Sequence, residues 1–72
     1  MAHSVIAAGY AGGGQVKLVK YPNALGGQHF EVRYYHPRTG FDVDRIVDPV
    51  RAIERYEDRC VELLKLLKEV TK

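Results

Sequence analysis

The chain has no tryptophan, a single methionine, a single cysteine and no strong excess of either charge. One cysteine excludes any disulfide within the chain, and a lone thiol suits a reducing compartment. Eleven Lys and Arg stand against nine Asp and Glu, a net charge of +2 with 28% of residues charged. Both signs are interspersed, so the broad basic excess of a dedicated nucleic-acid binder is missing. The longest apolar run near the N-terminus is Val5-Ile6-Ala7-Ala8. It is too short for a membrane span and follows no charged leader segment, so the expectation is a soluble, cytoplasmic chain with no membrane contact.

Seventy-two residues make one domain with a modest core. Small chains draw extra stability from disulfides, metals or association. With no disulfide available, self-association or partner binding rises in weight.

Residues 1–15 are rich in Ala and Gly and end in Gly12-Gly13-Gly14, which reads as a flexible arm or a short edge strand at Ser4 to Ala8. Residues 16–72 then form a single β-β-β-α domain. Gln15 to Tyr21 alternates as a strand, Pro22-Asn23 and Gly26-Gly27 mark a loop, and Gln28 to Tyr35 alternates as a second strand. In His36-Pro37-Arg38-Thr39-Gly40, Pro37 fits the second position of a type I turn and Gly40 the left-handed position after it. Taking Pro37 to Gly40 as the loop sets His36 opposite Phe41. Tyr34 then faces Val43, Val32 faces Arg45 and Phe30 faces Val47. This register gathers Phe30, Val32, Tyr34, Phe41, Val43 and Val47 on one face and pairs Arg33 with Asp44 on the other. A slip of one residue would turn Phe41, Val43 and Val47 outward.

Asp48 is a good N-cap and Pro49 suits the first helical position, so a helix should run from Pro49 to about Val70. Val50, Ile53, Tyr56, Cys60, Leu63, Leu64, Leu67 and Val70 fall on one broad side of it. The fold class is therefore α+β: a three- or four-stranded antiparallel sheet with one long C-terminal helix on one face. A helix of this length spans roughly 33 Å against roughly 23 Å for a seven-residue strand. The Leu-rich end should overhang the sheet, and Leu63, Leu66, Leu67 and Val70 become candidates for self-association as a homodimer.

Val5 to Gly12 resembles the first strand and turn of a dinucleotide-binding fold, but a strand follows where that fold needs a helix, so no cofactor is expected. His3, His29, His36 and Cys60 match no zinc spacing, and no metal is expected. Cys60 on an apolar helix face suits core packing rather than catalysis. Glu31, Asp42 and Asp44 are carboxylates on one sheet face, with Arg33 placed to neutralise Asp44. No catalytic constellation stands out, and the expectation is not an enzyme.

Two functions survive. The first is a protein-binding module, with Tyr21, Arg33, Tyr35, His36 and Arg38 as its contact residues, since mixed Tyr and Arg suit protein interfaces. Its small size extends that reading to an inhibitor or adaptor of the kind that phage and mobile elements encode against host defence systems. The second is DNA binding. From Gln28 to Cys60 the order strand, Pro-Arg-Thr-Gly turn, strand, Asp48-Pro49 and helix resembles plant AP2-type domains and integrase arm-binding domains in pattern. That resemblance implies a sheet laid in the major groove. The same face is expected to carry Glu31, Asp42 and Asp44, which repel phosphates and set DNA second to a protein partner.

Overall fold

The computed structural model describes residues 3–22 and 27–71, with side chains as far as Lys68. Its elements are β1 (Ser4–Ala11), β2 (Gly14–Pro22), β3 (Gln28–His36), β4 (Gly40–Ile46) and α1 (Pro49–Thr71). The strands form one antiparallel sheet in the order β1-β2-β3-β4, and α1 packs across one face. The loop expected around Asn23 and Gly26 lies outside the described residues.

The N-terminal segment is a full strand rather than an arm. Ala11 pairs with Gly14, leaving Gly12 and Gly13 as a two-residue turn with φ of 57° and 84°. Positive φ at both central residues is the twist-matched hairpin turn, which glycine adopts without steric cost. Ile6 is skipped in the ladder between Val5 and Ala7, a bulge that leaves Ala7 to Ala11 regularly paired.

The core lies between α1 and the two central strands, from Val16, Leu18, Phe30, Val32, Tyr34, Ala52 and Leu63. At the helix start Asp48 accepts a hydrogen bond from the Val50 amide at 3.0 Å, the N-cap geometry expected of it.

Three expectations are corrected. The β3–β4 register is shifted by one residue. Phe30 pairs with Ile46, Val32 with Asp44, Arg33 with Val43, Tyr34 with Asp42, Tyr35 with Phe41, and His36 with Gly40. The loop is Pro37-Arg38-Thr39, closed by the Thr39 amide donating to the His36 carbonyl at 3.2 Å, and Gly40 (φ 90°) is the left-handed residue that restarts pairing. Phe41, Val43 and Val47 are thereby exposed, and Asp42 and Asp44 turn toward the helix. The physical reason is on α1. Arg55 donates to Asp44 at 2.8 Å, and Arg59 pairs with Asp42 and lies 3.8 Å from Asp44. Two arginines four apart on a helix meet two aspartates two apart on a strand, each pair on one face of its element.

The buried helix face is also rotated, by roughly 60° at 100° per residue. Ala52, Arg59 and Leu63 are buried, Tyr56 and Cys60 are half-buried, and Val50, Ile53 and Leu64 are exposed. Placing Arg55 and Arg59 over β4 turns the expected apolar stripe partly toward the β1 edge. Arg59 is only 8% exposed and its guanidinium lies 4.6 Å from the Tyr34 ring, so this arginine is part of the packed interface.

The third correction concerns the overhang. Strands of eight and nine residues reach roughly 26–30 Å, which leaves little helix unsupported. Gly12 lies under Leu67, and Leu63 is buried against Gly14. Leu66 and Leu67 are half-buried, and the Val70 side chain lies outside the described residues. Of the four proposed self-association residues, Leu63 belongs to the core.

Candidate binding face of the sheet

The sheet face away from α1 is ordered in rows by the strand register. One row runs Tyr10, Gln15, Tyr35, Phe41, and the next runs Ala8, Lys17, Arg33, Val43. A third runs Val5, Val19, Glu31, Arg45, and beyond it Tyr21 pairs with His29. Alternation along each strand dictates this, because side chains two apart share a face.

The first row is aromatic and open. Tyr10 is 69% exposed and Phe41 68% exposed, and the Tyr35 and Phe41 rings lie 5.8 Å apart, tilted by 51°. That separation is favourable for a tilted aromatic pair. Beside it Lys17 and Arg33 form a basic row, bordered by the exposed Val43.

At the far end the polar groups bind one another. Tyr21 is stacked against His29 (5.1 Å, 4°) and against His3 (5.3 Å, 25°). Arg33 donates to the Tyr21 hydroxyl and, at 3.1 Å, to Glu31, which also accepts from Arg45 at 3.4 Å. Burial pushes the Glu31 carboxyl up, but hydrogen bonds from Arg33, Tyr21 and Arg45 and the nearby Arg33 charge outweigh it. The net effect holds Glu31 below the ordinary carboxylate range. Among the described residues three cations, Lys17, Arg33 and Arg45, stand on this face against the single carboxylate Glu31.

The five contact residues expected from sequence divide accordingly. Tyr21, Arg33 and Tyr35 lie on the face, and Arg38 is exposed at the β3–β4 turn. His36 does not join them. It is buried on the helix side against Gly14, and its Nδ1 accepts the Arg38 amide at 3.0 Å, so it serves the turn. The face also gains Phe41, Val43 and Arg45, which the one-residue register shift brings to it, and Tyr10, which the β1–β2 pairing places there. The signal for them is in the chain: the i, i+4 spacing of Arg55 and Arg59 matches the i, i+2 spacing of Asp42 and Asp44.

On the helix side a cavity of about 400 Å³ is lined in part by Tyr34, Phe41, Asp42, Arg59 and Leu66. Its arginine is already engaged by Asp42 and by Glu62 at 3.1 Å. Among the described residues there is no group of three metal-ligating side chains and no helix long and apolar enough to cross a membrane. Comparison with protein-family models, with curated proteins and with solved structures finds no significant match to this chain.

Proposed function

We propose that this chain is a non-enzymatic protein-binding module whose contact surface is the sheet face away from α1. The observation that carries the reading is the aromatic row of exposed Tyr10 and Phe41 with half-buried Tyr35, beside Lys17, Arg33 and Val43. Tyrosine, arginine and exposed apolar groups on a rigid sheet are the composition of an interface centre. In this reading the chain acts by occupying a partner's surface, as an inhibitor or adaptor of the kind that phage and mobile elements encode against host defence systems. Its small size and single broad face support occupancy as the mode of action.

The test uses immobilised wild type beside the double variant Tyr35→Ala with Phe41→Ala. Both side chains point off the helix face, so the variant should keep its circular dichroism spectrum. Proteins captured from a host lysate by the wild type and lost from the variant support the reading. Equal capture by both removes this face as the site.

One observation favours a second reading, nucleic-acid binding through the same face. The register turns Asp42 and Asp44 toward α1, which leaves Glu31, bound by Arg33 and Arg45, as the one carboxylate among three cations. Titration of labelled duplex DNA at about 50 and 200 mM salt separates the two readings, because phosphate-driven binding falls steeply over that range. Binding that collapses at the higher salt and is lost with Lys17→Ala and Arg33→Ala supports nucleic acid. No binding at either salt removes it.

A further inference from the structure

The two edges of the sheet differ in kind. β4 carries Asp42, Asp44 and Arg45. β1, Ser-Val-Ile-Ala-Ala-Gly-Tyr-Ala, has no charge and no proline along eight residues. Charged side chains and proline are the usual devices that keep an open edge from pairing with another chain, and β1 has neither. Its one irregularity, the bulge at Ile6, leaves Ala7 to Ala11 in regular register with β2, and among the described residues no strand pairs with the outer side of β1.

Apolar side chains flank this edge on both sides. Val5 and Tyr10 lie on the open sheet face, and on the helix side Leu64 (52% exposed) stands beside Gly9, Tyr10 and Ala11. Between them an open apolar groove of about 190 Å³ is lined by Gly9, Tyr10, Ala11, Cys60, Leu63 and Leu64.

We propose that β1 is a self-association edge, with a second copy of this chain as its occupant, paired antiparallel across a two-fold axis. The symmetry selects that occupant. A two-fold axis beside an edge strand pairs it with its own copy in antiparallel sense and closes the assembly at two subunits. Pairing β1 with the β4 edge of another copy would build an open filament, and the charges of β4 oppose it. Reversal about the axis also brings the Val5-Ile6 end of one strand alongside the Gly9 to Ala11 end of the other. Ile6, 52% exposed at the bulge, thereby meets the groove beside Leu64 in its partner. An edge about 26 Å long and about 20 Å deep, counting sheet and helix layers, covers about 500 Å² per copy. The resulting total of about 1,000 Å² stands at the lower bound for a specific interface, so the dimer should dissociate on dilution. This surface shares Tyr10 with the aromatic row, but Ile6 and Leu64 lie outside that row, so substitutions there test the proposal independently of the proposed function.

The experiment is sedimentation equilibrium of the full chain from roughly 5 to 500 µM, the weak range expected for an interface of this size. The wild-type mass should rise from 8.1 kDa toward twice that value and stop there. Ile6→Lys and, separately, Leu64→Lys should hold the mass at the monomer value across the range, with unchanged circular dichroism. Leu64 is an exposed helix residue, so its variant keeps the test valid where Ile6→Lys disturbs the strand. A wild type that stays monomeric throughout, a dimer that survives Leu64→Lys, or a mass that grows past two subunits would each overturn the proposal.

Discussion

The β1 and β4 sides of the molecule attach the same helix to the same sheet by opposite means. Along β1 and its turn into β2 the chain presents only small residues to the helix. Gly9 faces Cys60 and Tyr56, Gly12 faces Leu67, and Gly14 lies directly beneath Leu63 and His36, so α1 approaches the backbone closely. On the β4 side the spacing is filled by charge: Arg55 and Arg59 reach across to Asp44 and Asp42, with Glu62 closing the set. The first attachment depends on volume and should be intolerant of any added atom. The second depends on protonation and pairing, and it also selects the register of β4. A helix that docked through apolar contacts on both sides would have drawn Phe41 and Val43 inward, and the sheet would present two aspartates instead of an aromatic row.

The glycine side should be the more sensitive of the two to substitution. A Cβ at Gly14 would stand 2.7 Å from Leu63 Cδ2 and 2.8 Å from the Tyr35 carbonyl oxygen, the latter being backbone that moves little. Gly14→Ala should therefore cost about 3 kcal/mol, at the upper end of overpacking, read as a lowered midpoint in urea. A loss under about 0.5 kcal/mol would show that α1 does not sit so close to the β1–β2 turn.

The next largest effect lies on the charged side. Removing Arg59 leaves Asp42 and Glu62 without their cation and withdraws a side chain packed on Tyr34. Both carboxylates are about half exposed, so the cost of stranding them is softened by water, and Arg59→Ala should lose about 2 kcal/mol. The double variant Arg55→Ala with Arg59→Ala addresses the register itself. Cross-strand nuclear Overhauser effects between Arg33 and Val43 and between Phe30 and Ile46 should weaken or be replaced by those of the shifted pairing. Their full retention would show that the turn alone fixes the register. The Nε of Arg59 is buried with no hydrogen-bond partner among the described residues, which places a further cost on burying this arginine. Arg59→Met, which keeps the stem and drops the charge, should thus recover part of the stability lost in Arg59→Ala.

The smallest effect sharpens the contrast through pH. Glu31 is held below the ordinary carboxylate range in the folded chain, so its contribution to stability is present above that range. It is lost as pH falls through the depressed value, where the folded carboxyl takes up its proton. Arg45 is 70% exposed and Arg33 42% exposed, so solvent screens both pairs and the contribution should be roughly 1 kcal/mol or less. Urea midpoints of wild type and Glu31→Gln should differ at neutral pH and converge under acid conditions. A difference that persists into acid would assign the effect of the substitution to packing rather than charge.

Much of this architecture is readable in the chain before any coordinates. The β3–β4 hairpin follows from alternation on either side of Pro37 and Gly40, and the helix start from Asp48-Pro49. The strand at Ser4 to Ala11 was also legible, because Gly12-Gly13 between two β-capable segments is a two-residue hairpin signal as well as a flexible one. The aromatic row was not legible by the same rules. An apolar pattern alone favours turning Val43 and Val47 toward the core, and the turn sequence fits either a three-residue or a four-residue loop. Tyr21, Arg33 and Tyr35 share the outer face by alternation along β2 and β3, which does not depend on that turn. His36 is also on β3, and alternation from Phe30, Val32 and Tyr34 turns it to the helix side, which its place beside the turn obscures.

The features legible in the chain alone are local: which segments alternate, where the chain reverses, where the helix starts, and that no disulfide joins any of it. These follow from backbone sterics and side-chain periodicity, which act within a few residues. Which of two registers β4 adopts, and which side of α1 is buried, are settled only in the assembled fold. Both hang on ion pairs between residues 11 and 17 apart, Arg55 with Asp44 and Arg59 with Asp42. The energy of such pairs depends on distance and burial, quantities that exist only after the helix has docked.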